Sequence, residues 1–344
     1  MTQTKARDIG MDLVKCIAII SVLIIHTCLY SGDVGSFEWS SSLFWGSITR
    51  GSVPLFLMAS GAVMLQGDKE ISLKKLYFKN ILRIVAAMIF WGIAYKICHL
   101  IQNDTLNYEM VIHSVKEVFV FNQEFHFYYM HIIIIVYAFI PITRVLVHNC
   151  TKNQLSYLIV LWLALAVIYP NICVFWPFNL ISGVVPLWKM NMVYAGIGYG
   201  ILGYYLKKYP LPTWLGLTMI LCGFTIVFGG TYWVSTDYGI LQEHFYSGMG
   251  IGATLLATGI FSLADRVMLE DTVIKKSIIW LSKASFCIYL CHMLIMYALS
   301  VMGINAEMFT PIVSIPCVAL INIILSSVVY FVISKIPLLR KWII

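Results

Sequence analysis

The chain has 344 residues, 60% hydrophobic and only 11% charged, with a mean hydropathy of +0.86. Such a composition excludes an ordinary soluble domain and points to a protein that crosses a membrane many times. The formal net charge of +7 needs no nucleic-acid partner, because the basic residues fall where a membrane protein keeps them.

Apolar stretches long enough to cross about 30 Å of hydrocarbon recur at 13–31, 51–66, 81–101, 127–147, 154–170, 188–206, 212–230, 246–264, 280–301 and 312–334. They predict an all-α, polytopic bundle of about ten helices, with 1–344 forming one integral membrane domain. With the N-terminus inside, 19 of the 23 Lys and Arg residues fall on the inner side, leaving Arg50, Lys96, Lys116 and Lys189 outside. Both termini are therefore expected to be cytoplasmic. No small-residue cleavage pattern follows Leu13–Leu29, so this first segment reads as a span rather than a signal peptide. The nine cysteines include no C-x-x-C pair and most lie in or beside apolar segments, so no metal site is expected.

The first segment carries Arg7, Asp12, Lys15 and His26. Eleven residues of helix bring Lys15 and His26 to within roughly 20° of one direction, about 16 Å apart in height, so that a cation and an imidazole face one cavity at two depths. An imidazole inside the bilayer can act as a general base or can be a core histidine hydrogen-bonded between helices. Asp12 is expected to orient Lys15. The inner loop 66–80 then brings Lys69, Lys74, Lys75 and Lys79, followed by Arg83; this cluster suits anionic membrane lipids or a phosphorylated ligand. Arg50 precedes Gly51-Ser52-Val53-Pro54, a small-residue start to the second segment that leaves backbone groups free to line a cavity. It is suited to pairing with Glu124, binding an anionic acceptor, or stabilising an oxyanion.

Before the fourth segment, Glu124-Phe125-His126-Phe127-Tyr128-Tyr129 makes a mouth of carboxylate, imidazole and phenols. It is suited to holding hydroxyl groups, or to interfacial anchoring. Near the other end of the chain His292 lies mid-segment with Tyr289 one turn back; it either completes a site or satisfies a neighbouring helix.

Taken together, Arg7-x4-Asp12-x2-Lys15-x10-His26, Arg50-x2-Val53-Pro54-Leu55-Phe56-x3-Ser60-Gly61, Arg83-Ile84 with Trp91, His126-Phe127-Tyr128-Tyr129 ahead of Pro141, and Ser285-Phe286-x-Ile288-Tyr289-Leu290-x-His292 resemble the acyltransferase-3 family of integral membrane acyltransferases. Within it, the chain is similar to the single-domain enterobacterial common antigen O-acetyltransferase group. The resemblance implies a multi-pass protein of the bacterial inner membrane that moves acetyl from acetyl-CoA to a hydroxyl of an envelope glycan or lipid-linked sugar. It implies a catalytic role for His26 and donor handling by Lys15 and Arg83. Lys15 stands where the family usually has Arg, and the hydrolase-like extracellular domain of some members is not seen.

Coenzyme A carries phosphates at one end and a tail on the order of 15 to 20 Å long. That length matches the separation of Lys15 from His26, so Arg7, Lys15, Lys79 and Arg83 are expected to hold the donor. His26 would act as base, with Arg50 or Tyr129 stabilising the oxyanion and Glu124, His126 and His292 contacting the acceptor. A secondary transporter or exporter of a lipid-linked sugar is the competing expectation, although no internal repeat supports it.

Overall fold

The computed structural model describes residues 7–28, 32–67 and 71–344. These are helical throughout their regular structure: α1 (Ile9–Thr27), α2 (Phe37–Ile48), α3 (Ser52–Met64), α4 (Leu73–Gln102), α5 (Tyr108–Phe119), α6 (Phe125–Asn149), α7 (Lys152–Ile172), α8 (Met192–Lys208), α9 (Thr213–Tyr238), α10 (Ile251–Ala264), α11 (Val273–Val301), α12 (Pro311–Ser334) and α13 (Pro337–Trp342). A helix occupies the greater part of each of the ten apolar segments. Seven of them (α1, α4, α6, α7, α9, α11 and α12) are long and apolar enough to cross a membrane. Helices suit that setting because each satisfies its own backbone polar groups away from water.

The shorter helices α3, α8 and α10 lie in the interior of the bundle, and glycine lets them approach closely. A side-chain carbon at Gly61 would fall on the backbone of Gly200, and one at Gly203 on the Met58 carbonyl, so α3 and α8 pack backbone to backbone. Around them α1 packs against α3, α11 and α12, while α6 and α4 close the side that carries the cavity described below.

Three helices were not foreseen, α2, α5 and the short α13. The α2 segment is short and serine-rich, and joins α3 through the break at Thr49–Gly51. The α5 segment is amphipathic and lies beside α4, tied to it by Lys96–Glu117 at 2.7 Å. The start of α1 is earlier than the apolar run suggests, because Asp8 caps it by accepting from the Met11 amide at 3.2 Å. At its other end α1 stops at Thr27, short of the end of the apolar run, so His26 lies in its last turn.

The ends of α1, α8 and α10 are fastened together where Lys207 pairs with Asp8 at 2.7 Å and with Asp265. This end of the bundle also holds Lys15, Lys79 and Arg83, and is called the basic end below.

Candidate active site

A cavity of about 400 Å³ opens within the basic end, a volume in the usual range of small-molecule sites. Each wall is one helical face: Lys15 from α1; Phe56, Ser60 and Val63 from α3; Lys79, Asn80 and Arg83 from α4; Tyr129, Ile133 and Tyr137 from α6; Ser282, Ser285, Phe286 and Tyr289 from α11. The three- and four-residue steps within these sets explain why each helix contributes several residues to one hollow. In α4 a π-helical turn at Leu76–Ile81 lies where Lys79 and Asn80 reach the cavity; such turns occur often at functional sites.

Lys15 makes no hydrogen bond or ion pair among the described residues, so its ammonium is available to a ligand. Arg83 is differently held. Its Nη2 donates to the Ile344 carbonyl and its guanidinium lies 5.5 Å from the Phe286 ring, while its Nε is buried without a partner. Trp91 supports the same segment, its Nε1 donating to the Ile343 carbonyl at 3.3 Å.

At its inner limit the cavity ends on two phenols. Tyr129 and Tyr289 are both buried, with ring centroids 5.3 Å apart, and Phe56 lies 5.7 Å from Tyr129. The Tyr289 hydroxyl donates to the His126 carbonyl. Beyond this floor lie three imidazoles, with ring centroids 5.2 Å apart for His26–His292, 5.3 Å for His126–His292 and 6.2 Å for His26–His126. The sequence analysis assigned all three to one site, but separations of 100 residues and more gave no hint of their ring-to-ring contact. The triangle forms because the short 3-10 turn that opens α6, Phe125–Phe127, carries His126 inward.

The three differ in what their nitrogens meet. His292 is fully buried, and its Nδ1 lies 2.7 Å from the Tyr289 carbonyl. A carbonyl can only accept, so Nδ1 carries the proton, and Nε2 presents a bare lone pair with no partner. His126 is also fully buried and neither of its nitrogens has a partner. His26 alone keeps part of its surface accessible, with Phe125, itself exposed, against it at 5.5 Å.

The α11 backbone at this level is tied from outside by other side chains. The Tyr95 hydroxyl donates to the Leu290 carbonyl at 2.9 Å and accepts from the Leu294 amide at 3.3 Å, bridging one turn of the helix. Asn322 Nδ2 donates to the His292 carbonyl at 3.0 Å, and Ser326 donates to Asn322 at 2.9 Å. Tyr95 and Asn322 escaped the sequence reading. A polar side chain inside an apolar segment, which demands a partner, is the signal that would have found them.

Several expected site residues have other partners. Asp12 does not orient Lys15: it accepts from Arg7 Nη2 at 2.8 Å and from Ser282 Oγ at 2.6 Å, joining α1 to α11. Arg7 is thereby held by Asp12 and does not line the cavity. Glu124 pairs with His99 at 3.0 Å rather than with Arg50. Arg50 sits in the α2–α3 break, its Nε donating to the Tyr246 carbonyl at 2.5 Å and its guanidinium stacked 3.5 Å over that ring. It is within electrostatic range of His26. Lys74 and Lys75 are exposed outside the cavity, and Lys69 lies outside the described residues.

A family model described as an acyltransferase domain matches residues 8–331, nearly the whole chain and every segment that lines the cavity and the imidazole triangle. The chain belongs to the acyltransferase-3 family. It is accordingly a multi-pass membrane acyltransferase. No curated protein and no solved structure matches it.

Proposed function

We propose that this acyltransferase-3 protein moves acetyl from cytoplasmic acetyl-CoA to a hydroxyl of a cell-envelope glycan or lipid-linked sugar, working in the bacterial inner membrane as a single domain with both termini cytoplasmic. The observation that carries the reading is the order of groups along one path: a cavity with Lys15, Lys79 and Arg83 at its basic end, a floor of two phenols, and an accessible imidazole just beyond. The diphosphate and 3′-phosphate of coenzyme A suit the cations, and its slender pantetheine suits the apolar walls above them. From Ser282 to Tyr289 the cavity rises about 10 Å along α11, and His292 lies roughly 4.5 Å further.

In the reaction, the acceptor oxygen attacks the thioester carbonyl while His26 takes the hydroxyl proton. The C–S bond then breaks, and the imidazolium returns that proton to the departing thiolate. The positive charge of Arg50 favours the oxyanion formed between these steps. Tyr129 and Tyr289 stand between thioester and imidazole, so the donor reaches His26 only when those rings move aside.

The test is transfer of radiolabelled acetyl from acetyl-CoA into the lipid and glycan fractions of membranes carrying the protein, wild type beside His26→Ala. Transfer by wild type, lost in His26→Ala while coenzyme A still binds, supports the reading. Binding of neither acetyl-CoA nor coenzyme A by wild type would overturn it in favour of transport.

A further inference from the structure

The buried imidazoles hold an asymmetry that acyl transfer by His26 alone does not use. Of the three imidazoles in the triangle, His292 is the one whose tautomer is fixed from outside the ring, because Nδ1–H is committed to the Tyr289 carbonyl. Its ring nitrogens therefore divide into one that is satisfied and one, Nε2, that is buried, bare and unpartnered. A buried acceptor left unmet is costly, which makes Nε2 a place where an incoming N–H or O–H is favoured.

The nearest groups able to meet it are the other two imidazoles. His126 is sealed, whereas His26 is the partly accessible ring at the end of α1, with no hydrogen bond among the described residues. Two imidazoles joined by an N–H···N bond have ring centroids roughly 5 Å apart. The His26–His292 separation is 5.2 Å, with the planes tilted by 41°. That separation admits an N–H···N bond when a nitrogen of His26 faces Nε2.

We propose that His292 is the positioning residue for His26. Its Nε2 accepts a hydrogen bond from one His26 nitrogen, which leaves the other His26 nitrogen bare and directed at the acceptor hydroxyl. The arrangement follows the logic of a base held in the correct tautomer by a third group, with a neutral imidazole in place of a carboxylate. The substitution makes physical sense here, since an unpaired carboxylate at this depth is costly in a membrane. When His26 takes the acceptor proton, its new charge faces the Nε2 lone pair, and the dipole continues through the ring to the Tyr289 carbonyl. No proton is transferred to His292, and the proton held by His26 goes on to the thiolate. Asn322 and Ser326 fix the level of His292 by holding its own carbonyl.

This inference rests on the acetyl-transfer reading, and the experiment separates the two. Acetyl transfer from radiolabelled acetyl-CoA is measured in membranes carrying wild type, His292→Gln and His292→Leu, with coenzyme A binding to each purified variant as the check on folding. A glutamine side-chain oxygen can accept the bond that Nε2 accepts, and a leucine cannot. Expected is a fall in kcat of about 100-fold or more for His292→Leu, with KM for acetyl-CoA unchanged within about threefold, and recovery to within about tenfold of wild type in His292→Gln. Equal loss in both variants with coenzyme A binding intact would overturn the proposal, as would wild-type kcat in His292→Leu. So would a defect confined to the apparent KM for acceptor, which would make His292 an acceptor contact. If wild type binds coenzyme A and transfers no label, it is the acetyl-transfer reading that fails, and this inference falls with it.

Discussion

Arg83 is where the proposed donor site can be tested without any knowledge of the acceptor. Its Nη2 is already engaged by the Ile344 carbonyl, and its guanidinium lies 5.5 Å from the centroid of the Phe286 ring. What it can offer an incoming phosphate is its remaining Nη N–H groups, since only one bond from Nη2 is committed. One hydrogen bond to a charged group contributes about 1.5 to 3 kcal/mol. At about 1.4 kcal/mol per factor of ten, Arg83→Gln should weaken coenzyme A binding by roughly 10- to 100-fold. The assay is equilibrium binding of coenzyme A to the purified protein in lipid nanodiscs, at low and at high salt. Wild-type affinity should fall with salt and the variant should show a shallower dependence. A paired control, Lys74→Met with Lys75→Met, removes two exposed charges outside the cavity and should leave affinity within about threefold. Binding by Arg83→Gln within twofold of wild type, in protein that remains monodisperse, would refute the placement of donor phosphates in this cavity.

Three further outcomes follow from the packing and the charges. Gly203→Val puts a branched side chain against the Met58 carbonyl, and the resulting separation of α3 from α8 should lower the unfolding midpoint sharply or prevent recovery of folded protein, read by thermal scanning in detergent. Tyr289→Ala removes half of the floor between cavity and imidazoles, and should raise hydrolysis of acetyl-CoA by water relative to transfer, measured as free acetate; an unchanged ratio would mean that the floor is not the barrier. The hydrogen bond from Lys96 holds the Glu117 carboxyl below the usual carboxylate range. A group with a lowered folded value contributes stability that is present above its unfolded value and is lost as pH falls through the folded one. Lys96→Met should therefore remove a small stabilisation, about 0 to 1 kcal/mol, seen above the ordinary glutamate range and absent at more acidic pH.

Much of this arrangement was legible in the amino-acid sequence because membrane helices advertise themselves. The ten apolar segments located helices, whereas the eleven-residue spacing suggested one cavity shared by Lys15 and His26 and only Lys15 lines it, His26 lying beyond the phenol floor. The three-residue step from Tyr289 to His292 brought cavity floor and imidazole onto neighbouring turns of α11. Other features depended on contacts between distant parts of the chain. Asp12 chose Arg7 and Ser282 because α11 lies against α1, and Ser282 is 270 residues away in sequence. His126 joined the triangle through the direction of a 3-10 turn, which hydropathy does not encode. Arg50 read as an outer-loop cation because the serine-rich α2 before it has no long apolar run, so the helix break that carries it inward was invisible.

The hydroxyl of Tyr95 gives α11 a property that a continuous helix lacks. By serving the Leu290 carbonyl and the Leu294 amide at once, it lets the distance between those two groups vary without stranding either. Tyr289 in the wall that separates donor from acceptor and His292, the ring proposed to orient the base, stand within one turn of helix that Tyr95 clasps on one side and Asn322 on another, so that wall and base share their supports.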